Sequence, residues 1–428
     1  MSDHGLTPAA ILARVRILLW HGYLLGGTGS NVYSRALARE WSNAGHDVVV
    51  VCQERAPEQY DLGGAQVVNV ELPGRLLPVF VMDRYAGLEP RLLQDFSDAE
   101  KAAYVDANAA TLRELLPADL VFANHVLMGG PVGAASGAPF RVKAHGSELE
   151  YSMRGRPELE RWGAEALAAA EATFVGSAHI RAVLEDVVGH ADRVYEVPPG
   201  VDVDEFTIRP RDDALAALIE EARRDPPNPG NADERRPDEG NADRLASFLA
   251  GDEPTVVYFG KLIEQKGVQV LLEAMTGVDA RLVVVGFGPY RQALEAMAPK
   301  RTLFTGPFEH RHLAQLLPLA DVTVVPSIFP EAFGMVAAEA AAAGSPPLVA
   351  RHSGLAEVAA GLEEEYPPHL AHLAGFENGS ADDLRTKLRE LLALSTEDRA
   401  VLQQAARRAV VERWSWAGAA RRLLEPRG

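Results

Sequence analysis

The feature that most constrains this chain is a strand-and-helix alternation that runs twice, once before and once after Pro198-Pro199-Gly200. Residues 15–20 are a short apolar run with the length of a buried strand. Gly22, Gly26, Gly27 and Gly29 follow. Residues 30–44 come next, with Val32, Leu37 and Trp41 on one helical face and Gly45 as the stop signal. Residues 47–51 are again a buried strand. Strand, glycine loop, helix, strand is one βαβ unit, and successive units build a parallel sheet covered by helices. Apolar runs at 120–123, 140–144, 173–176 and 195–197 continue the series, with helical stretches at 98–116 and 158–172. Two prolines and a glycine extend neither element, so the first series ends there, and we expect a hinge at that point. A second series runs through 255–259, 280–285, 301–305, 322–325 and 347–350. Helices are predicted at 267–275 and 312–317, and a long helical pattern at 396–424. A single core stops growing near ~250–300 residues, so 428 residues in two such series predict two doubly wound α/β domains.

Between the series, residues 223–244 contain no Val, Ile, Leu, Phe, Tyr, Trp or Met and are rich in Pro, Gly, Asn, Asp and Arg. Such a stretch buries too little apolar surface to offset its ordering entropy, and it reads as a flexible surface insertion. The formal net charge of −18 argues against a nucleic-acid partner, which calls for a basic face. It leaves a local phosphate site open. Cys52 is the only cysteine, so no internal disulfide forms, and it reads as a small buried hydrophobe in a reducing compartment. The first residues lack a basic segment followed by an apolar core, and no apolar run approaches the ~18–20 residues of a membrane span. A cytoplasmic protein is expected, with room for a peripheral membrane contact.

Four constellations could carry chemistry. Gly26-Gly27-Thr28-Gly29 joins a strand to a helix, where glycines admit a ligand to the backbone and the helix start offers N–H groups to an anion; a plain tight turn is the equal alternative. Lys261 and Lys266, bracketed by Gly260 and Gly267, lie on a strand-to-helix loop and could hold a diphosphate, although two solvated lysines would look the same. Glu331 and Glu339 stand eight apart across Pro330 and Gly334 and the start of a helix. There the N–H groups of Phe333, Gly334, Met335 and Val336 would face a phosphate, and the carboxylates would accept sugar hydroxyls. The bland reading, a cap and an exposed glutamate, fits poorly because the segment around Glu339 is apolar. Finally, Lys143-Ala144-His145-Gly146-Ser147-Glu148 places His145 at a strand end, where ligands of open α/β sheets bind; a structural histidine is the equal alternative.

In order along the chain, the motifs are Gly26-Gly27 with Gly45-His46-Asp47-Val48, His145-Gly146, Pro199-Gly200-Val201-Asp202, Gly260-Lys261 with Lys266-Gly267, Val285-Gly286-Phe287-Gly288-Pro289, Ala320-Asp321-Val322 with Pro326-Ser327, and the paired glutamates. This set resembles the retaining glycosyltransferases of family 4. The resemblance covers most of the chain and lapses at 223–244. It implies the GT-B fold, two Rossmann-like domains facing a central cleft. Residues 1–199 would be the acceptor side, 200–410 the nucleotide-sugar domain, and 411–428 a helix crossing back to the first domain. It also implies roles. Gly27 would approach the donor; Lys261 and Lys266 would hold its diphosphate; Glu331 would touch hydroxyls of its sugar; Glu339 would bind the ribose; His145 would orient the sugar near its anomeric centre; and Phe308 would lie where relatives hold the base. Catalysis is assigned to His145 and Glu331, and the domains would close about the hinge to exclude water. Two departures stand out. Relatives usually have arginine at Lys261, and the stretch Ser353-Gly354-Leu355 has one glycine where relatives often have two.

The implied reaction is transfer of a hexosyl group from a nucleoside-diphosphate sugar to an acceptor hydroxyl, with retention of configuration and no metal or other cofactor. The acceptor stays open among a glycan, a lipid and a small metabolite, and uridine and guanosine donors share these motifs. Alternatives are an epimerase or hydrolase acting on the same donor, a non-catalytic nucleotide-sugar sensor, and a two-lobed solute-binding protein. Asp202-Val203-Asp204, His310-x-His312 and His369-x-x-His372 are poor metal candidates, the first because it falls in the hinge and the others because they lack further ligands nearby.

Overall fold

A computed structural model describes residues 14–426 except 27, 28, 83, 84 and 86. The chain forms two compact units. The first comprises Met1–Val175, Ile180–Glu196 and Arg422–Gly428; the second comprises Gly176–His179 and Val197–Arg421. The expected border at 199/200 thus falls just past Glu196, and only the last residues of the C-terminal segment group with the first unit. There Arg141 donates to the carbonyls of Leu423 and Leu424 at 2.8 and 2.9 Å.

In the first unit the strands are β1 (Arg16–Trp20), β2 (Asp47–Cys52), β3 (Gln66–Asn69), β4 (Leu76–Val79), β5 (Glu89–Leu92), β6 (Leu120–Asn124), β7 (Phe140–Lys143), β8 (Ala172–Val175) and β9 (Val194–Glu196). The main sheet has the order β3-β2-β1-β6-β7-β8-β9, with β4 and β5 as a separate pair. All pairings are parallel, with Leu18 opposite Val49 on one side and Val121 on the other. Helices cover both faces of such a sheet, so the central strands are continuous apolar runs rather than alternating ones. Helix Gly29–Asn43 buries Tyr33, Leu37 and Trp41, an i, i+4, i+8 stripe. Val32, expected on that face, is half-buried.

The second unit repeats the plan with β10 (Thr255–Phe259), β11 (Arg281–Val285), β12 (Thr302–Phe304), β13 (Val322–Val325), β14 (Pro347–Ala350) and β15 (Gly375–Phe376), in the order β12-β11-β10-β13-β14-β15. The long C-terminal pattern is two helices, Thr396–Arg413 and Trp416–Leu424. The break falls where Val201 donates its N–H to the Trp414 carbonyl at 2.7 Å and pairs with Ser415.

Composition predicts a loose excursion at 223–244. In the structure this stretch carries a polar clasp. Buried Asn228 donates to the carbonyls of Asp233 and Pro237 and accepts the Asp233 N–H. Buried Asp238 takes a two-pronged bond from Arg291 at 2.8 and 2.6 Å. Hydrogen bonds thus do here what apolar burial does elsewhere. Among the described residues, no helix is long and apolar enough to cross a membrane.

Candidate active site

In each sheet the chain leaves two neighbouring strands toward opposite sides, between β1 and β6 in the first unit and between β10 and β13 in the second. Loops part at the carboxyl ends of such strands and leave a crevice for a ligand.

In the second unit Lys266 follows β10 and Glu331 follows β13, and the two side chains form a partly exposed ion pair. Ser327 Oγ donates to Glu331 Oε1 at 2.7 Å, and Ser353 Oγ accepts the Glu331 N–H at 2.9 Å. His352 bonds the Ser327 carbonyl at 2.6 Å and the Ser353 hydroxyl at 3.1 Å. The loop is set by Gly267, whose φ is +68° and where a Cβ would lie 1.8 Å from the Pro326 carbonyl oxygen. Only glycine lets the Lys266 turn press that closely on the β13 loop. Lys261 is exposed, its carbonyl accepting from Tyr258 Oη at 2.9 Å.

Helix Met335–Ala342 starts directly after Gly334, whose φ is +111°. Ala337 is the first residue here whose N–H reaches a backbone acceptor, the Gly334 carbonyl at 2.9 Å. The N–H groups of Gly334, Met335 and Val336 therefore stand at the open helix end, as expected of a first turn. Phe333 contributes differently from its expected neighbours. Its ring is in the core, edge-on to Trp414 at 5.6 Å, so only its backbone remains for a ligand. Glu339 lies in the second turn, 6% exposed, with His310 Nε2 at 3.6 Å from its Oε1. Burial, reinforced by the Glu205 carboxylate, pushes the Glu339 carboxyl up to about 8. Phe308 is half-buried and stacks on His312 with centroids 4.8 Å apart.

The raised Glu339 carboxyl gives a pH signature. A raised folded value favours the protonated form, so stability falls as pH rises from the ordinary 4.5 through about 8. Glu339→Gln removes that loss. The variant should melt like the wild type near pH 4, where both side chains are neutral, and be more stable by roughly 4 kcal/mol at pH 9. Equal melting curves at both values would refute the buried-carboxyl account.

In the first unit, His21 follows β1, His125 follows β6 and His145 follows β7, and the three rings cluster. His125 lies 4.7 Å from His145 and 6.2 Å from His21. Buried Glu148 holds the cluster. Its Oε1 accepts the backbone N–H groups of His145 at 2.9 Å and Val126 at 3.4 Å, and its Oε2 meets His125 Nδ1 at 3.3 Å. Burial alone would raise Glu148, but His125 and the backbone N–H groups of His145 and of Glu148 itself outweigh it and keep the carboxyl below its ordinary value. His145 is driven well below its ordinary value by burial, then by His125, Lys143 and His21, so its imidazole is neutral. Burial lowers Lys143 to about 7, with Glu148 opposing.

The network also fixes the His145 tautomer. Asn124 Nδ2 donates to the Trp20 carbonyl at 3.3 Å, which turns Asn124 Oδ1 toward His145 Nε2 at 2.7 Å. An amide oxygen only accepts, so the single ring proton of His145 sits on Nε2 and its Nδ1 is an acceptor. An acceptor nitrogen at a strand end suits a sugar hydroxyl. The Gly26-Gly27 loop is only half visible here, because Gly27 lies outside the described residues; Gly26 offers its carbonyl to Asn31 Nδ2, and Asn31 Oδ1 bonds His21 Nε2 at 2.9 Å.

Sequence reading did not find His125 or Asn124, and it gave no donor-site role to Ser327, Ser353 or His310. For His125 and Asn124 a signal existed: both stand at the end of a predicted strand, as His145 does. Of the three poor metal candidates, Asp202 accepts the N–H groups of Asp204 and Glu205 within its own turn. His312 pairs with Asp225, while His369 and His372 face Asp398 and Glu390.

The family profile of glycosyl transferases group 1 matches residues 241–409, and that of glycosyltransferase family 4 matches residues 27–205. A GDP-mannose-dependent alpha-(1-6)-phosphatidylinositol monomannoside mannosyltransferase of Mycobacterium tuberculosis is 30% identical over 66% of this chain and 68% of its own length. A D-inositol 3-phosphate glycosyltransferase of Xylanimonas cellulosilytica is 36% identical over 46% of this chain, and the chain spans 44% of that protein. Sucrose-phosphate synthase from Thermosynechococcus elongatus shares the fold, with a TM-score of 0.68 and 22% identity over 96% of this chain and 98% of that one. Anabaena HepE in complex with UDP-glucose aligns with a TM-score of 0.65 and 16% identity, over 96% and 99%. Two doubly wound units, a lysine–glutamate pair at the crevice of the second, and both family profiles lead to one conclusion: the chain belongs to the group 1, family 4 glycosyltransferases of GT-B fold.

Proposed function

We propose that this chain transfers a hexosyl group from a nucleoside-diphosphate sugar to an acceptor hydroxyl with retention of configuration. The observation that carries the reading is the joining of Lys266 and Glu331 at the crevice of the second sheet, beside the open helix end at Gly334–Val336 and with buried Glu339 on the same helix. Lys261, Lys266 and the helix N–H groups balance the charge of the departing diphosphate. Glu331 and Glu339 accept hydroxyls of the sugar and the ribose, and His145 Nδ1 accepts one from the sugar. With two ammonium groups and a helix end in place, no resident metal is called for, and activity should survive chelation. The named donor of the mannosyltransferase relatives makes GDP-mannose the first donor to try, and their names make inositol-containing and lipid-borne acceptors the first class to screen.

The test is thermal stability against UDP, GDP and ADP, followed by donor turnover with the matching sugars. One diphosphate at a hundredfold excess over its Kd should stabilise by about 2.7 kcal/mol. Proton NMR of the product should show the donor's anomeric configuration. An inverted product would sink retention alone, and silence from every nucleotide would sink the donor site.

A further inference from the structure

The insertion at 223–244 reaches the carboxyl edge of the second sheet. Asp238 N–H and Asn241 Nδ2 both donate to the Thr305 carbonyl at 2.8 Å, and Arg244 donates to the Phe304 carbonyl at 2.6 Å. Phe304 ends β12 and Thr305 directly follows it. The neighbouring loop after β11 is joined to the same place, Gly286 N–H to the Gly306 carbonyl at 2.9 Å. That loop carries Phe287, and Arg235 of the insertion holds its guanidinium 6.0 Å from the Phe287 ring centroid.

The order of groups along this edge gives the direction of a bound donor. Lys266, Glu331 and the helix start at Gly334–Val336 suit a diphosphate and its sugar. Glu339 is one turn further along that helix and meets His310 at 3.6 Å, so a ribose held there leads toward the segment after β12. Phe308, two residues before His310, and Phe287 on the adjoining loop are both half-exposed rings at this end. Flat apolar rings beside a ribose-binding carboxylate suit a stacked heterocycle.

We propose that the insertion builds the base end of the donor site and that Arg235 reads the base. This rests on the donor reading above. A guanidinium over an aromatic ring is placed to cap a stacked base and to donate to its edge. It has donors only, so it favours a base with a carbonyl oxygen, guanine or uracil, over adenine, which presents an amino group there. The polar clasp of Asn228, Asp238 and Arg291 then has a function as well as a cost: it holds Arg235 at the rim.

The test compares Arg235→Ala with wild type by calorimetric titration of GDP, UDP, ADP and inorganic diphosphate. Arg236→Ala serves as a control from the same exposed segment. The wild type should prefer GDP or UDP to ADP. In Arg235→Ala that preference should fall about tenfold, with inorganic diphosphate affinity and the Arg236→Ala profile unchanged. Unaltered base preference would overturn the inference and leave the donor reading standing. Equal loss for inorganic diphosphate and the nucleotides would also overturn it, by assigning Arg235 to the phosphates or to the fold. No binding of any nucleotide by the wild type would remove the donor reading and this inference with it.

Discussion

Replacing Glu148 by alanine is expected to lower the melting temperature by on the order of 10 °C, from a loss of roughly 3–5 kcal/mol. Glu148 is fully buried and serves three groups at once, the N–H groups of His145 and Val126 and the His125 imidazole. Alanine leaves two backbone donors and a ring nitrogen buried with nothing to bond, and each such group costs about 1–3 kcal/mol. Glu148→Gln keeps one accepting oxygen and should lose about half as much. The pH dependence has a definite sign. The carboxyl is held below its ordinary 4.5, so its contribution is present above that value and is lost as pH falls through the folded value. Wild type and Glu148→Ala should therefore converge in stability in acid and separate toward neutrality. Activity should fall too, since His145 is placed through its own backbone N–H. A melting temperature within 2 °C or so of wild type would show that Glu148 does not hold this cluster.

Lys266→Ala is expected to reduce kcat/KM by about 10²–10³, the scale of losing one charged stabiliser of a departing oxyanion. The side chain is partly exposed and its fold contribution is small, so the melting temperature should change little. Lys266→Arg keeps charge but not shape and should recover only part of the rate. Glu331→Gln should lose comparable activity through the sugar hydroxyls. Because the two side chains are paired, the double variant should fall short of the product of the single effects. Simple multiplication in steady-state kinetics would mean that they act on separate steps or separate ligands.

Most of the sheet was legible because buried parallel strands are written as unbroken apolar runs; β10, β13 and β14 have the predicted ends. β3 was not, since Gln66–Asn69 is a short edge strand with exposed ends and no apolar run longer than two. The clasp in the insertion was illegible for a related reason. Asn228, Asp238 and Asn241 have the composition of a disordered segment; Asn228 closes the segment on its own carbonyls, and the burial of Asp238 and Asn241 depends on an arginine and a carbonyl far away in the chain. In the candidate site, spacing singled out the Glu331 and Glu339 pair and the family resemblance gave Lys266 its role, but neither showed that Lys266 and Glu331 pair, nor that Phe333 turns into the core. His125 and Asn124 follow the same strand-end logic as His145. The chemistry that makes them matter, one carboxylate serving two strands and an amide fixing a tautomer, exists only once β6 and β7 lie side by side.

The most direct measurement is hydrogen–deuterium exchange of the protein with and without a saturating nucleoside-diphosphate sugar. A donor held as described here should slow exchange at 260–267 and 331–339, most of all at the helix start Gly334–Val336, and Lys266→Ala should abolish that protection. Protection confined to other segments, or none at a concentration where the donor binds, would contradict the assignment of this crevice to the donor.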